Sequence, residues 1–174
     1  MFKNKFMLHC ANIIGVVFLQ MLLQDFIYIK GNSILLYIPL LICNIIFFEF
    51  ADAMLANMIL IFVFCSLFTN GLFMNIFLIV LLLFINKQLK EKIYLERIEI
   101  FLTYLFGFLI SLNFLRYLTE SYVHKSLPNV SLILSTTVIQ FVLDSIFGVF
   151  IYFIISRESK YLRKLKKGRS LREE

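Results

Sequence analysis

The sequence predicts an all-α membrane protein, a compact bundle of about six transmembrane helices, some short, with both termini cytoplasmic. Three observations carry this prediction. First, 61% of the 174 residues are hydrophobic and only 16% charged, with a mean hydropathy of +0.90. A soluble domain carries about 45–50% apolar and about 25% charged residues, so a water-soluble monomer of this length lacks the polar surface to cover itself. Second, fourteen of the 17 basic residues fall in three short segments at the ends of apolar runs: Lys3 and Lys5, then Lys87 to Arg97, then the tail from Arg157. By the positive-inside rule all three face the cytoplasm. Third, if Lys3 and Lys5 share a side with the Lys87 to Arg97 loop, an even number of spans must lie between them.

The first span runs from about Phe6 to Tyr28. It follows two lysines as a signal peptide would, but it is too long for an h-region and lacks a small-x-small cleavage site, so it is read as a retained span. The stretch Ile34 to Asn86 holds no Lys or Arg and only Glu49 and Asp52 as charges. Hydropathy alone permits two long or three short helices there, and parity selects three: Ile34 to Phe48, Ala53 to Thr69, and Leu72 to Asn86. Glu49 to Asp52 supplies an inside turn, and Asn70-Gly71 a turn dipeptide for an outside one. These helices are short for a bilayer, which implies little tilt, local thinning or a partly re-entrant segment. The fifth span is Ile98 to Thr119 and the sixth Leu132 to Ile155. Residues 1–156 thus form one integral membrane domain and 157–174 a basic cytoplasmic tail. Tyr28, Tyr117, Tyr122 and Tyr161 fall near interfaces, where a ring with a polar tip is favoured.

Polar side chains within spans tend to face the bundle interior or a cavity. In the last span Thr137, Gln140, Asp144 and Gly148 recur at steps of three and four, on one helix face. A mid-membrane Asp costs about 2.5–3.5 kcal/mol on insertion scales, so Asp144 must be paired, hydrogen-bonded or protonated. The fifth span carries Glu99, Thr103, Gly107 and Ser111 at i, i+4 steps, and the first carries His9, Asn12, Gln20 and Gln24. Two readings stand side by side. The stripes are packing seams, or Gln20, Gln24, Gln140 and Asp144 line a ligand or ion path. Ala11-x-x-x-Gly15 and Gly107-x-x-x-Ser111 are helix-contact patterns.

Enzyme signatures are absent: the chain has no phosphate-cradling Gly-rich loop, no His-Glu-x-x-His and no Gly-x-Ser-x-Gly. Glu49 and Asp52 form a close carboxylate pair without a third acid or a basic partner, and solvation of a helix end accounts for them. Cys10, Cys43 and Cys65 sit singly in apolar runs, which argues against a disulfide or zinc site. No catalytic residue, metal ligand or cofactor is therefore expected. The tail sets eight Lys or Arg, including Arg163, Lys164, Lys166 and Lys167, against three glutamates. Each basic residue near an anionic leaflet is worth about 1 kcal/mol, so membrane lipids are expected partners, with a cytoplasmic protein as a second reading, and nucleic acid is not.

The order of features resembles the rod shape-determining protein MreD family over most of the chain. The first span ends in Leu22-Leu23-Gln24, and a proline opens the second apolar run in Tyr37-Ile38-Pro39-Leu40-Leu41. Asn70-Gly71-Leu72 follows in the middle, then a short basic loop and a final span with an Arg/Lys tail. Members of that family often have Asp where this chain has Leu40 and Asn75, and small residues where it has Phe, Ile and Met. The resemblance carries over only Gln24, Pro39 and Gly71, as structural markers. It implies a non-enzymatic, multi-pass scaffold of the bacterial inner membrane that serves the cell-elongation machinery. Such a scaffold would bind an MreC-like bitopic protein, and other membrane proteins of that machinery, and help couple the cytoskeleton to peptidoglycan synthesis and cell shape. The alternative is a substrate-binding membrane subunit of an energy-coupling-factor vitamin transporter. Those are also compact six-helix proteins of this size, but they need an enclosed polar pocket near the outer face.

Overall fold

A computed structural model describes residues 2–23, 27–29, 32–67, 72–90, 97–124 and 130–170. Six helices account for nearly all of them: α1 (Phe2–Leu23), α2 (Tyr37–Phe47), α3 (Phe50–Leu67), α4 (Leu72–Lys90), α5 (Ile98–His124) and α6 (Val130–Ser170). Between α1 and α2 a small antiparallel ribbon pairs β1 (Tyr28–Ile29) with β2 (Asn32–Ser33), in the register Tyr28 opposite Ser33 and Ile29 opposite Asn32. The number and order of helices agree with the sequence reading. Two of them, over Ile98–Thr119 and Val130–Lys164, are long and apolar enough to cross a membrane.

The fold is organised around α2. All eleven of its residues are buried, and it packs against each of the other five helices. A helix that is apolar all round can be stable only when covered on every side, and Tyr37-Ile38-Pro39-Leu40-Leu41-Ile42-Cys43 offers no polar face. Asn44 is its one amide, and it is spent locally: Asn44 Nδ2 donates to Asn57 Oδ1 of α3 (2.9 Å), while Asn57 Nδ2 donates to the Leu41 carbonyl (3.3 Å). Tyr37 packs its ring on Phe64 with centroids 4.9 Å apart. At a rise of about 1.5 Å per residue α2 is about 17 Å long, well short of the roughly 30 Å hydrocarbon layer of a bilayer.

Contacts fix the directions of the neighbours. Asp144 of α6 meets Leu35 just before α2, and Ser159 of α6 meets Phe47 at its end, so α2 and α6 run parallel. On the same face of α6, a Cβ added at Gly148 would come within 3.2 Å of Pro39 and Phe101. This close approach of three helices leaves little room for a larger residue. Pairs Phe101–Tyr152 and Asn113–Thr137 show α5 antiparallel to α6.

Several boundaries differ from the sequence reading. The first helix ends at Leu23, and the following residues include the β-ribbon instead of more helix. The second helix begins at Tyr37 and not Ile34, because Pro39 fits only in the first turn of a helix. The sixth helix continues without a break through the basic tail to Ser170, so the basic residues to that point are an extension of α6. Lys and Arg are good helix formers, and nothing in the sequence ends the helix at Ile155. The stripe Glu99, Thr103, Gly107, Ser111 was expected in a packing seam. In the structure Glu99, Thr103 and Gly107 are exposed, Ser111 is half-buried, and a Cβ at Gly107 meets nothing within 4 Å. The hydroxyls of Thr103 and Ser111 bond back to the carbonyls of Glu99 and Gly107 on their own helix (both 2.8 Å), so neither needs a neighbouring helix. Asn70-Gly71 lies outside the described residues.

Candidate functional site

Three of the five polar residues picked out by the sequence within apolar runs converge on one point, the irregular backbone of Ile34 to Leu36 that leads into α2. Leu36 stands at the N-cap of α2 and offers no side-chain cap, so the backbone donors there need outside partners. Gln20 of α1 supplies one: its Oε1 accepts from the Leu36 N–H (2.8 Å), and its Nε2 donates to the Ile34 carbonyl. One amide thereby closes both a donor and an acceptor of the same strand-like segment, as a neighbouring β-strand would. Asp144 of α6 supplies the next: its Oδ1 accepts from the Leu35 N–H (2.8 Å). Gln140, one turn earlier on α6, donates Nε2 to both Asp144 oxygens (2.9 Å each). Gln20, Gln140 and Asp144 are 3%, 4% and 0% exposed, so the network is sealed from the surroundings.

The N-terminus of a helix carries a partial positive charge, and Asp144 sits against it with two N–H donors on one oxygen and a third contact on the other. These hydrogen bonds from neutral donors offset part of the cost of burying the carboxyl group. Pro39 contributes by lacking an N–H in the first turn, which removes one donor that would otherwise need a partner.

The other end of α2 is also held by α6. The Phe47 carbonyl accepts from Ser159 Oγ (3.3 Å) and Arg163 Nη2 (3.5 Å). Alongside, Asn12 Nδ2 of α1 donates to Glu158 Oε2 (2.8 Å), and His9 packs edge-on against Phe48 with centroids 4.4 Å apart. Both ends of the central helix are therefore fastened to a single element, α6.

Thr137 does not join the network with Gln140 and Asp144. Its Oγ1 donates to the Ile133 carbonyl (2.8 Å) and accepts from Asn113 Nδ2 of α5 (3.1 Å). It shares the helix face but sits about two turns before Asp144, where the neighbour is α5 and no longer the start of α2. Gln24 lies outside the described residues. Of the tail residues, Arg163 and Lys164 are exposed, Arg163 also reaching Phe47; Lys166 and Lys167 lie on the helical backbone of α6, and their side chains are outside the described set. Sequence reading missed the bond between Asn44 and Asn57 and that between Asn12 and Glu158. The signal available for the first was an amide in each of two otherwise apolar runs, but two such residues do not reveal that they face each other.

Among the described residues no group of three His, Cys, Asp or Glu side chains is placed to hold a metal ion. The carboxylate and both amides of the central network are already engaged with backbone or with one another. What this arrangement does chemically is fix geometry. No family model, no curated protein and no solved structure matches the chain.

Proposed function

We propose that this chain is a multi-pass membrane scaffold, positional and not enzymatic, of the kind that the resemblance to MreD describes: an inner-membrane component of a bacterial cell-elongation complex. The bilayer reading is supported by large apolar side chains on the outside of several helices, among them Phe18, Phe62, Phe77, Phe84, Phe150 and Phe153, each 60% or more exposed. Large exposed apolar patches are rare on soluble monomers, and these exposed phenylalanines occur on α1, α3, α4 and α6. The apolar windows of the two long helices are only 28% and 39% buried, whereas the core helix of a soluble protein would be mostly buried.

The observation that carries the scaffold reading is the use made of Gln20, Gln140 and Asp144. Their hydrogen-bonding capacity goes into holding α2 between α1 and α6. A transport path lined by these groups would need them free to meet a solute. The protein would then act by presenting a rigid lateral surface to a partner with a single span, such as an MreC-like protein, and its short cytoplasmic segments to others.

Two experiments test this. Thiol-reactive labelling of single cysteines placed at Ser33 and Asn129 should succeed from outside intact cells, while cysteines at Lys90 and Lys167 should label only after permeabilisation. Outside labelling at Lys167 refutes the six-span topology. Depletion in a rod-shaped host should give widened or round cells, with an MreC-like protein co-purifying from native membrane. Normal rods that lose uptake of one vitamin would establish the transporter reading instead.

A further inference from the structure

The outward face of α6 is divided along its length in a way the scaffold role does not use. Ile146, Phe150, Phe153, Arg157, Lys160 and Lys164 follow one another at steps of four, three, four, three and four, which puts them in one stripe. All six are exposed. The stripe is apolar for its first three members and cationic for its last three, with no gap between. Tyr161, 62% exposed, flanks the cationic part with the amphipathic ring favoured at membrane interfaces. The inward face at the same depth carries Asp144, Gly148, Ile151, Ile155 and Ser159, all buried.

The acidic residue of α6 beside this stripe is turned toward α1. Glu158 is half-buried and accepts from Asn12 of α1 (2.8 Å), so its carboxyl group is directed toward the bundle, while Arg157, Lys160 and Lys164 are exposed. From Ile146 to Arg157 the helix rises about 16 Å, close to the half-thickness of the roughly 30 Å hydrocarbon layer. The apolar part therefore matches one leaflet's acyl chains, and the cations begin where that leaflet's phosphates lie.

We infer that this stripe is a docking site for an anionic phospholipid of the cytoplasmic leaflet, its acyl chains along Ile146, Phe150 and Phe153 and its headgroup phosphate held by Arg157, Lys160 and Lys164. The inference rests on the bilayer reading above. Joint apolar and cationic character selects this occupant: a free phosphate would not use the apolar half, and an acidic soluble protein could not reach it.

The test uses the full chain purified in mild detergent, with phosphatidylglycerol or phosphatidylcholine of identical acyl chains added and bound lipid counted by native mass spectrometry. Phosphatidylglycerol should be retained in preference to phosphatidylcholine. In Arg157→Gln/Lys160→Gln/Lys164→Gln the preference should fall by about tenfold or more, as expected for loss of three interfacial cations. Arg116→Gln, at the other end of the bundle, should leave it unchanged. Excess glycerol phosphate should not compete; effective competition would make this a simple phosphate site and overturn the inference. Equal retention of the two lipids, or an undiminished preference in the triple variant, would overturn it as well. If the triple variant does not fold, Lys160→Gln and Lys164→Gln singly should each show a partial loss, and no loss in either refutes the site. Alkaline carbonate extraction of membranes separates the two readings. Release of the wild-type chain into the supernatant refutes the bilayer reading, whereas a retained chain with no lipid preference refutes only the docking site.

Discussion

Replacing Asp144 tests whether the central network holds the fold or serves chemistry. Asp144→Leu removes the acceptor for the Leu35 N–H and for Gln140 Nε2 at a site with no exposure. Leaving a buried donor unsatisfied costs about 1–3 kcal/mol, and two donors lose their acceptor: the Leu35 N–H and the Gln140 amide on the same helix as Asp144. The Leu35 N–H is a backbone donor that cannot turn away, whereas the Gln140 side chain can partly reorient, so the loss for Asp144→Leu is about 2–4 kcal/mol. Asp144→Asn retains an oxygen for the Leu35 N–H, and Gln140 can turn its amide to present oxygen to the new NH₂ group, so the loss should stay within about 1 kcal/mol. The assay is reversible unfolding of the detergent-purified chain by increasing mole fraction of sodium dodecyl sulfate, followed by helicity, with cell shape scored in parallel. Asp144→Leu at wild-type stability would refute the capping role. Asp144→Asn folded at wild-type level but inactive in cells would refute the structural account, and an ionisable or charge-paired role would replace it.

Three further outcomes follow from the same geometry. Gln20→Leu leaves the Leu36 N–H and the Ile34 carbonyl without their partner, so it should cost about 2–4 kcal/mol in the same unfolding assay, and its effect combined with Asp144→Leu should be less than additive because both act on one segment. Gly148→Leu should destabilise by about 1–3 kcal/mol through overpacking against Pro39 and Phe101, whereas Gly107→Ala, in open space, should be neutral or stabilising by up to about 1 kcal/mol from helix propensity; equal effects at the two glycines would contradict the packing described. In a variant with Cys10 and Cys65 changed to Ser, the Cys43 thiol at 0% exposure should react with a bulky maleimide only on unfolding, and rapid labelling of the folded chain would show that α2 is not enclosed.

Composition and charge placement were enough to read six helices in the right order, because apolar run length and clustered lysines and arginines act over whole segments. They also singled out Asp144, Gln140 and Gln20, since a polar group inside an apolar run must find a partner wherever the chain goes. The partner itself was decided by tertiary structure. Leu35 and Leu36 are unremarkable leucines in the sequence, and only the meeting of α1, α6 and the entrance to α2 makes their N–H groups the ones in need of Gln20 and Asp144. Helical spacing likewise put Thr137 on the face of Gln140 and Asp144 but could not say that the neighbour changes from α2 to α5 along that face. The same spacing gave Glu99, Thr103, Gly107 and Ser111 a common side without saying which way it points. Periodicity fixes which side chains share a face of a helix. Which face is covered, and by what, depends on the packing of segments far apart in the chain, and for α2 on being enclosed by all five other helices.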